Sequence, residues 1–90
     1  MNEPINKYRI NEYLYKLNVR QYRKAMVLLP ELLGISLNTF HNYRNILTEE
    51  SKDIPYEKVI LMEQLFEFEL GTLAYQNPTS ESLKALYIGQ

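Results

Sequence analysis

Leu28–Asn45 reads LLPELLGISLNTFHNYRN: a glycine stands between two short apolar-periodic segments, the pattern of a helix, a tight turn and a second helix. Gly34 supplies the left-handed backbone that closes the first helix, and Ser36 has a side-chain oxygen to cap the next. With that turn set, Leu29, Leu33, Ile35, Phe40 and Tyr43 face inward, while Asn38, Thr39, His41, Asn42 and Arg44 point outward. An outward row this rich in donors and acceptors is the chemistry that base edges in a duplex groove require.

Toward the N-terminus, Asn18 caps a helix with Val19, Tyr22, Met26 and Leu29 on one stripe and Arg20, Arg23 and Lys24 off it. Pro30 would remove a backbone hydrogen bond there and disfavours helical geometry at Leu29, so a break is expected, with Pro30 opening a short helix that ends at Gly34. Ile10, Tyr13, Leu14 and Leu17 recur at helical spacing, predicting a first helix over about Ile5 to Leu17; the β-formers Tyr8, Ile10, Tyr13 and Tyr15 give the weaker reading of a strand.

Toward the C-terminus, the helix beginning at Ser36 is expected to run to about Leu47 with Phe40, Tyr43 and Leu47 buried, followed by a polar loop, Thr48 to Asp53. Pro55 stands at the first position of a fourth helix with Glu57 in its first turn and a buried face of Val59, Met62, Leu65, Phe66 and Leu70. Gly71 interrupts it before Thr72 to Tyr75 add a last turn, and Asn77-Pro78-Thr79-Ser80 leads to an apolar tail of Leu83, Leu86, Tyr87 and Ile88.

Ninety residues make one domain with little room for a deep substrate cleft. The absence of cysteine excludes disulfides and thiolate zinc sites; the single histidine with scattered carboxylates gives no metal-ligand spacing, so no cofactor is expected. No apolar signal core opens the chain and the longest apolar stretch, Ala25 to Ile35, is broken by Pro30 and Glu31, so a cytoplasmic protein without a membrane partner is expected. The net charge of −1 hides a split: residues 1–45 hold seven Lys or Arg against three acids, and residues 46–90 three lysines against eight acids, giving +4 and −5. That field turns the half containing the glycine turn toward phosphate.

LLGIS with Gly34, the outward polar residues of SLNTFHNYRN and the following IPYEKVILMEQLFEFELGTL together resemble the lambda-repressor-like, Cro-type helix-turn-helix family over about Met26 to Leu73. The resemblance implies that the helix after the glycine lies in a major groove, with Ser36, Leu37, Asn38, Thr39, His41, Asn42 and Asn45 at bases and Arg44 at a phosphate. The chain departs from the family at Pro30, where alanine is usual, at Leu37, where a polar contact is usual, and in the loop, where Glu49, Glu50 and Asp53 outnumber Lys52.

The expected protein is an all-α domain of four or five helices over residues 1–76, with residues 1–18 as an extra N-terminal helix and 77–90 as a tail used in dimerisation. It is expected to bind a short double-stranded DNA site through Ser36–Leu47 as a homodimeric transcriptional regulator of the phage or mobile-element kind, with Arg20, Arg23, Lys24 and Lys52 as further phosphate contacts. No nucleophile with its base and orienting partner is identifiable, so neither an enzyme nor a small-molecule substrate is expected. The alternative is a helical protein-interaction module without DNA binding, gripping its partner through the acidic fourth helix and the tyrosines, with Glu63 or Glu67 as the positions that test it.

Overall fold

A computed structural model describes residues 5–88 and gives five helices in chain order: α1 (Ile10–Leu14), α2 (Val19–Leu33), α3 (Leu37–Arg44), α4 (Tyr56–Leu65) and α5 (Leu83–Ile88). Among the described residues pairing is limited to isolated bridges, so the all-α class read from the sequence holds. Residues 1–4 and 89–90 of the expected segments lie outside the described residues, and of Tyr87 and Ile88 only the backbone is described.

Helix α2 begins in a reciprocal cap: Asn18 Oδ1 accepts from Gln21 N at 2.8 Å, and Gln21 Oε1 accepts from Asn18 N at 3.1 Å. It then runs unbroken through Pro30, contrary to the expected break. Pro30 sits in the last turn, buried beside Leu29 and Leu33. Its missing N–H is lost to the helix, but its carbonyl accepts from Ile35 N at 2.9 Å while Gly34 N donates to the Glu31 carbonyl at 3.1 Å. Those two bonds, with Gly34 left-handed at φ 69, close the helix end, so the proline uses the one backbone group it retains.

The N-terminal segment is not the long helix expected over Ile5–Leu17. Residues 5–9 are threaded between two other stretches of backbone: Lys7 N donates to Ile46 O at 2.8 Å, Thr48 N to Ile5 O at 2.8 Å, Arg9 N to Leu73 O at 2.7 Å and Tyr75 N to Lys7 O at 3.2 Å. Asn6 pairs with Leu47 and Tyr8 with Ala74 as antiparallel bridges, and only Ile10–Leu14 is helical. The same pairing ends α3 at Arg44 rather than Leu47, and it replaces the extra turn expected over Thr72–Tyr75 with extended chain.

Helix α4 starts after Pro55 and stops at Leu65, where Phe68 N donates to Glu63 O at 2.8 Å and Glu67 N to Gln64 O at 3.2 Å. The left-handed position of that closure is Glu67 at φ 59, and Gly71, with φ 87, turns the chain further on. Ile10, Leu14, Leu33, Phe40, Met62 and Leu73 are fully buried in one core to which α1, α2, α3, α4 and the chain after Gly71 all contribute. Leu65 and Leu70, expected in the buried face of α4, are instead 37% and 71% exposed. Residues 75–86 are all exposed, and the molecule extends to 58 Å with a radius of gyration of 16.0 Å. A compact chain of this length has a radius of about 12 Å, so the tail stands away from the core.

Candidate nucleic-acid interface

The end of α2, the left-handed Gly34 and the Ser36 cap set the start of α3. Ser36 Oγ accepts from Thr39 N at 3.0 Å and its hydroxyl donates to Thr39 Oγ1 at 3.0 Å, so Ser36 and Thr39 are engaged in holding the first turn. Phe40 is the fully buried anchor of the helix, with Ile35 and Tyr43 packed half-buried against the core. The opposite arc carries Asn38, His41, Asn42 and Asn45 at i, i+3, i+4 and i+7. Asn38, Asn42 and Asn45 are exposed and His41 half-buried, and none of their side chains forms a hydrogen bond among the described residues. Leu37, 47% exposed, stands at the front of the helix beside this arc.

Arg44 does not belong to the outward row. It is 6% exposed, and its Nε donates to Asn11 Oδ1 at 2.6 Å, its Nη1 to the Tyr22 hydroxyl at 2.9 Å and to Met26 Sδ at 3.7 Å. The guanidinium also faces the rings of Tyr22 and Tyr15 at 5.7 and 5.8 Å. The expected phosphate contact is therefore a cation spent on joining α1, α2 and α3. It stands four positions after buried Phe40, on the same helix face, and that spacing is the signal in the sequence that could have placed it inside.

Positive charge beside α3 then rests with α2, where Arg20, Arg23 and Lys24 are exposed in the first half of the helix. Lys52, the fourth expected phosphate contact, is exposed in the loop, where its carbonyl accepts from Lys7 Nζ at 2.6 Å. Lys7 Nζ also donates to Glu50 O at 2.7 Å and to Asp53 Oδ1 at 3.1 Å, and Glu50 Oε1 accepts from Leu47 N at 3.3 Å. Two of the three loop acids are thus occupied by their own chain, with Glu49 left exposed.

Two further carboxylates are engaged by their own chain. Glu63, 2% exposed, accepts from Gly71 N and Leu73 N through Oε2 at 2.9 Å each, which removes it from the acidic surface expected on α4. Glu12 Oε2 accepts from the Tyr75 hydroxyl at 2.9 Å and from Arg9 Nη1 at 3.0 Å, and these bonds, Tyr75's first, hold its carboxyl below the ordinary value of 4.5. Burial raises the Tyr8 and Tyr75 hydroxyls above 10.0. No helix among the described residues is long and apolar enough to cross a membrane.

No protein-family model matches the chain, no curated protein does, and no solved structure does.

Proposed function

We propose that this chain binds double-stranded DNA sequence-specifically, as a two-copy transcriptional regulator of the phage or mobile-element kind, with α3 entering the major groove. The observation that carries the reading is the exposure of Asn38, Asn42 and Asn45, with half-buried His41 between them: amides that form no hydrogen bond among the described residues keep their paired donor and acceptor for base edges. Arg20, Arg23 and Lys24 supply phosphate attraction from α2. One domain of this size touches few base pairs, so selectivity calls for two copies on a palindromic site.

Selection from a random duplex library, with bound fractions measured at two salt concentrations, tests the reading. Enrichment of one motif is expected, with Asn38→Ala and Asn42→Ala each lowering affinity for it by about 1–3 kcal/mol. About three phosphate contacts per copy give a log–log salt slope near −3 per copy. Retention of duplex that is unaltered in both variants removes the proposal. The exposed aliphatic row Val27, Leu28 and Leu32 on α2 favours a second reading, a protein-interaction module, which wins if those positions and not the asparagines govern binding to a partner.

A further inference from the structure

Helix α5 is six residues long and has one charged side chain, Lys84. Helices this short are marginal in water without a surface to lie on. Yet Leu83 is 71% and Leu86 47% exposed, and its own body covers neither. The body in turn has an apolar surface left open at the root of the tail. A cleft of about 290 Å³ lies between α4, the chain after Leu70 and the N-terminal segment, walled by Tyr56, Val59, Ile60 and Leu70. Tyr56 is 68% and Leu70 71% exposed.

We infer that α5 of one copy docks in this cleft of a second copy, and the reverse, so that Leu83 and Leu86 cover the apolar wall. Charge complements the apolar fit: Asp53, with its side chain 71% exposed, lines the cleft, Glu57 is exposed on α4, and Lys84 is the charge that arrives; Glu63, buried and bonded to Gly71 N and Leu73 N, takes no part. Lys7, the base in the wall, already has its ammonium on Asp53 Oδ1 at 3.1 Å and on two carbonyls. Gln76, Asn77 and Pro78 form one wall of the cleft, and Asn77 Nδ2 donates to Gly71 O at 2.6 Å, so the chain leaves the cleft at a fixed point. Residues 79–82 then carry α5 outward over at most about 13 Å. A return in cis demands a reversal within those four residues, whereas exchange between two facing clefts uses the outward course the tail already has. Exchange is also closed and two-fold, which limits assembly to a pair. The inference gives the two-copy part of the proposed function its interface and is independent of DNA.

The chain has no cysteine, which makes directed cross-linking clean. Leu70→Cys and Leu86→Cys, both at exposed positions, are made singly, one of them isotope-labelled, mixed and oxidised, and also combined in one chain; circular dichroism checks the fold. A mixed 70–86 disulfide between labelled and unlabelled chains, with a double variant that closes only as a covalent dimer, is the expected result. Lys84→Glu is expected to raise the dimer dissociation constant at least fivefold by sedimentation. A disulfide within one chain of the double variant, a wild-type chain that sediments as a monomer, or a dimer with no 70–86 disulfide each overturns the exchange. Gel retention of duplex by the same variants is read separately: retention with a failed cross-link removes the exchange alone, and a 70–86 cross-link without retention removes the DNA reading alone.

Discussion

Arg44 brings a charge into the interior with no carboxylate paired to it among the described residues, and its place there rests on geometry: Asn11 Oδ1, the Tyr22 hydroxyl and two aromatic faces. Truncation empties a buried site and leaves the half-buried Asn11 Oδ1 and Tyr22 hydroxyl without their donor, and Arg44→Ala is expected to cost about 2–4 kcal/mol in urea unfolding. The salt slope of DNA binding is expected to stay unchanged in the milder Arg44→Met, whose stem still fills the site; a slope smaller by about one unit would return Arg44 to the phosphates. A second single-residue test concerns the two left-handed helix ends. Gly34 fits φ 69 without strain, whereas Glu67 holds φ 59 with a side chain attached. Gly34→Ala has room for its methyl, the nearest neighbour being the Lys58 ammonium at 3.9 Å, so the expected loss of about 1–2 kcal/mol is backbone strain alone. Glu67→Gly relieves the same strain and is expected to stabilise by about 0.5–1 kcal/mol. Only the first of these ends was legible in the sequence, because Gly34 announces its conformation and a glutamate does not.

At the level of elements, what was legible is what the chain decides within a few residues: the Asn18 and Ser36 caps, the Gly34 turn, the Pro55 start and the inward set from Leu29 to Phe40. The polar arc of the candidate site follows from those, since its exposure is the complement of Phe40's burial. Pro30 was misread because a local rule prices its lost N–H, while the outcome depends on burial against Leu29 and Leu33 and on a carbonyl bond to Ile35. The N-terminal segment was illegible for a different reason: its partners, Ile46–Thr48 and Leu73–Tyr75, lie some forty and sixty-odd positions on, and extended chain is fixed by what it pairs with. Tyr8 shows how tightly that pairing is tied, since its hydroxyl accepts from the buried Ile54 N at 3.0 Å. Tyr8→Phe leaves this N–H unpaired and is expected to cost about 1–3 kcal/mol in urea unfolding. At the other edge of the segment, Glu12 titrates below 4.5 in the folded chain, so its contribution to stability is present above that pH and is lost as pH falls through the lower folded value. The gap in unfolding midpoint between the wild type and Glu12→Gln is therefore expected to close on acidification below 4.5; a gap constant down to pH 2 would mean that Glu12 is unlinked to folding.

Across the whole molecule, folding sharpens the charge division that the sequence carries. Lys7 is tied to Asp53, Arg9 to Glu12 and Arg44 is interior, which leaves Lys16 before α2 and Arg20, Arg23 and Lys24 on it as the exposed positive charge of the first half. The acidic half lies with the loop after α3, α4 and the tail, where, on the proposed reading, repulsion from a polyanion would favour approach by α3. The same layout separates the body from the tail, because the buried core ends at Leu73 and every residue from 75 to 86 is exposed. A chain ending at Gln76 should then keep the stability of the isolated body, its urea midpoint matching the full chain at high dilution within about 0.5 kcal/mol. At higher concentration the two should part. Association that stabilises only the folded state raises the midpoint with protein concentration, so the full chain gains while the shortened chain stays flat. Because neither curve involves DNA, the comparison isolates the tail: equal, concentration-independent midpoints would mean that α5 meets no second copy, and a concentration-dependent midpoint in the shortened chain would move the contact to the body, with the aliphatic row Val27, Leu28 and Leu32 on α2 as its surface.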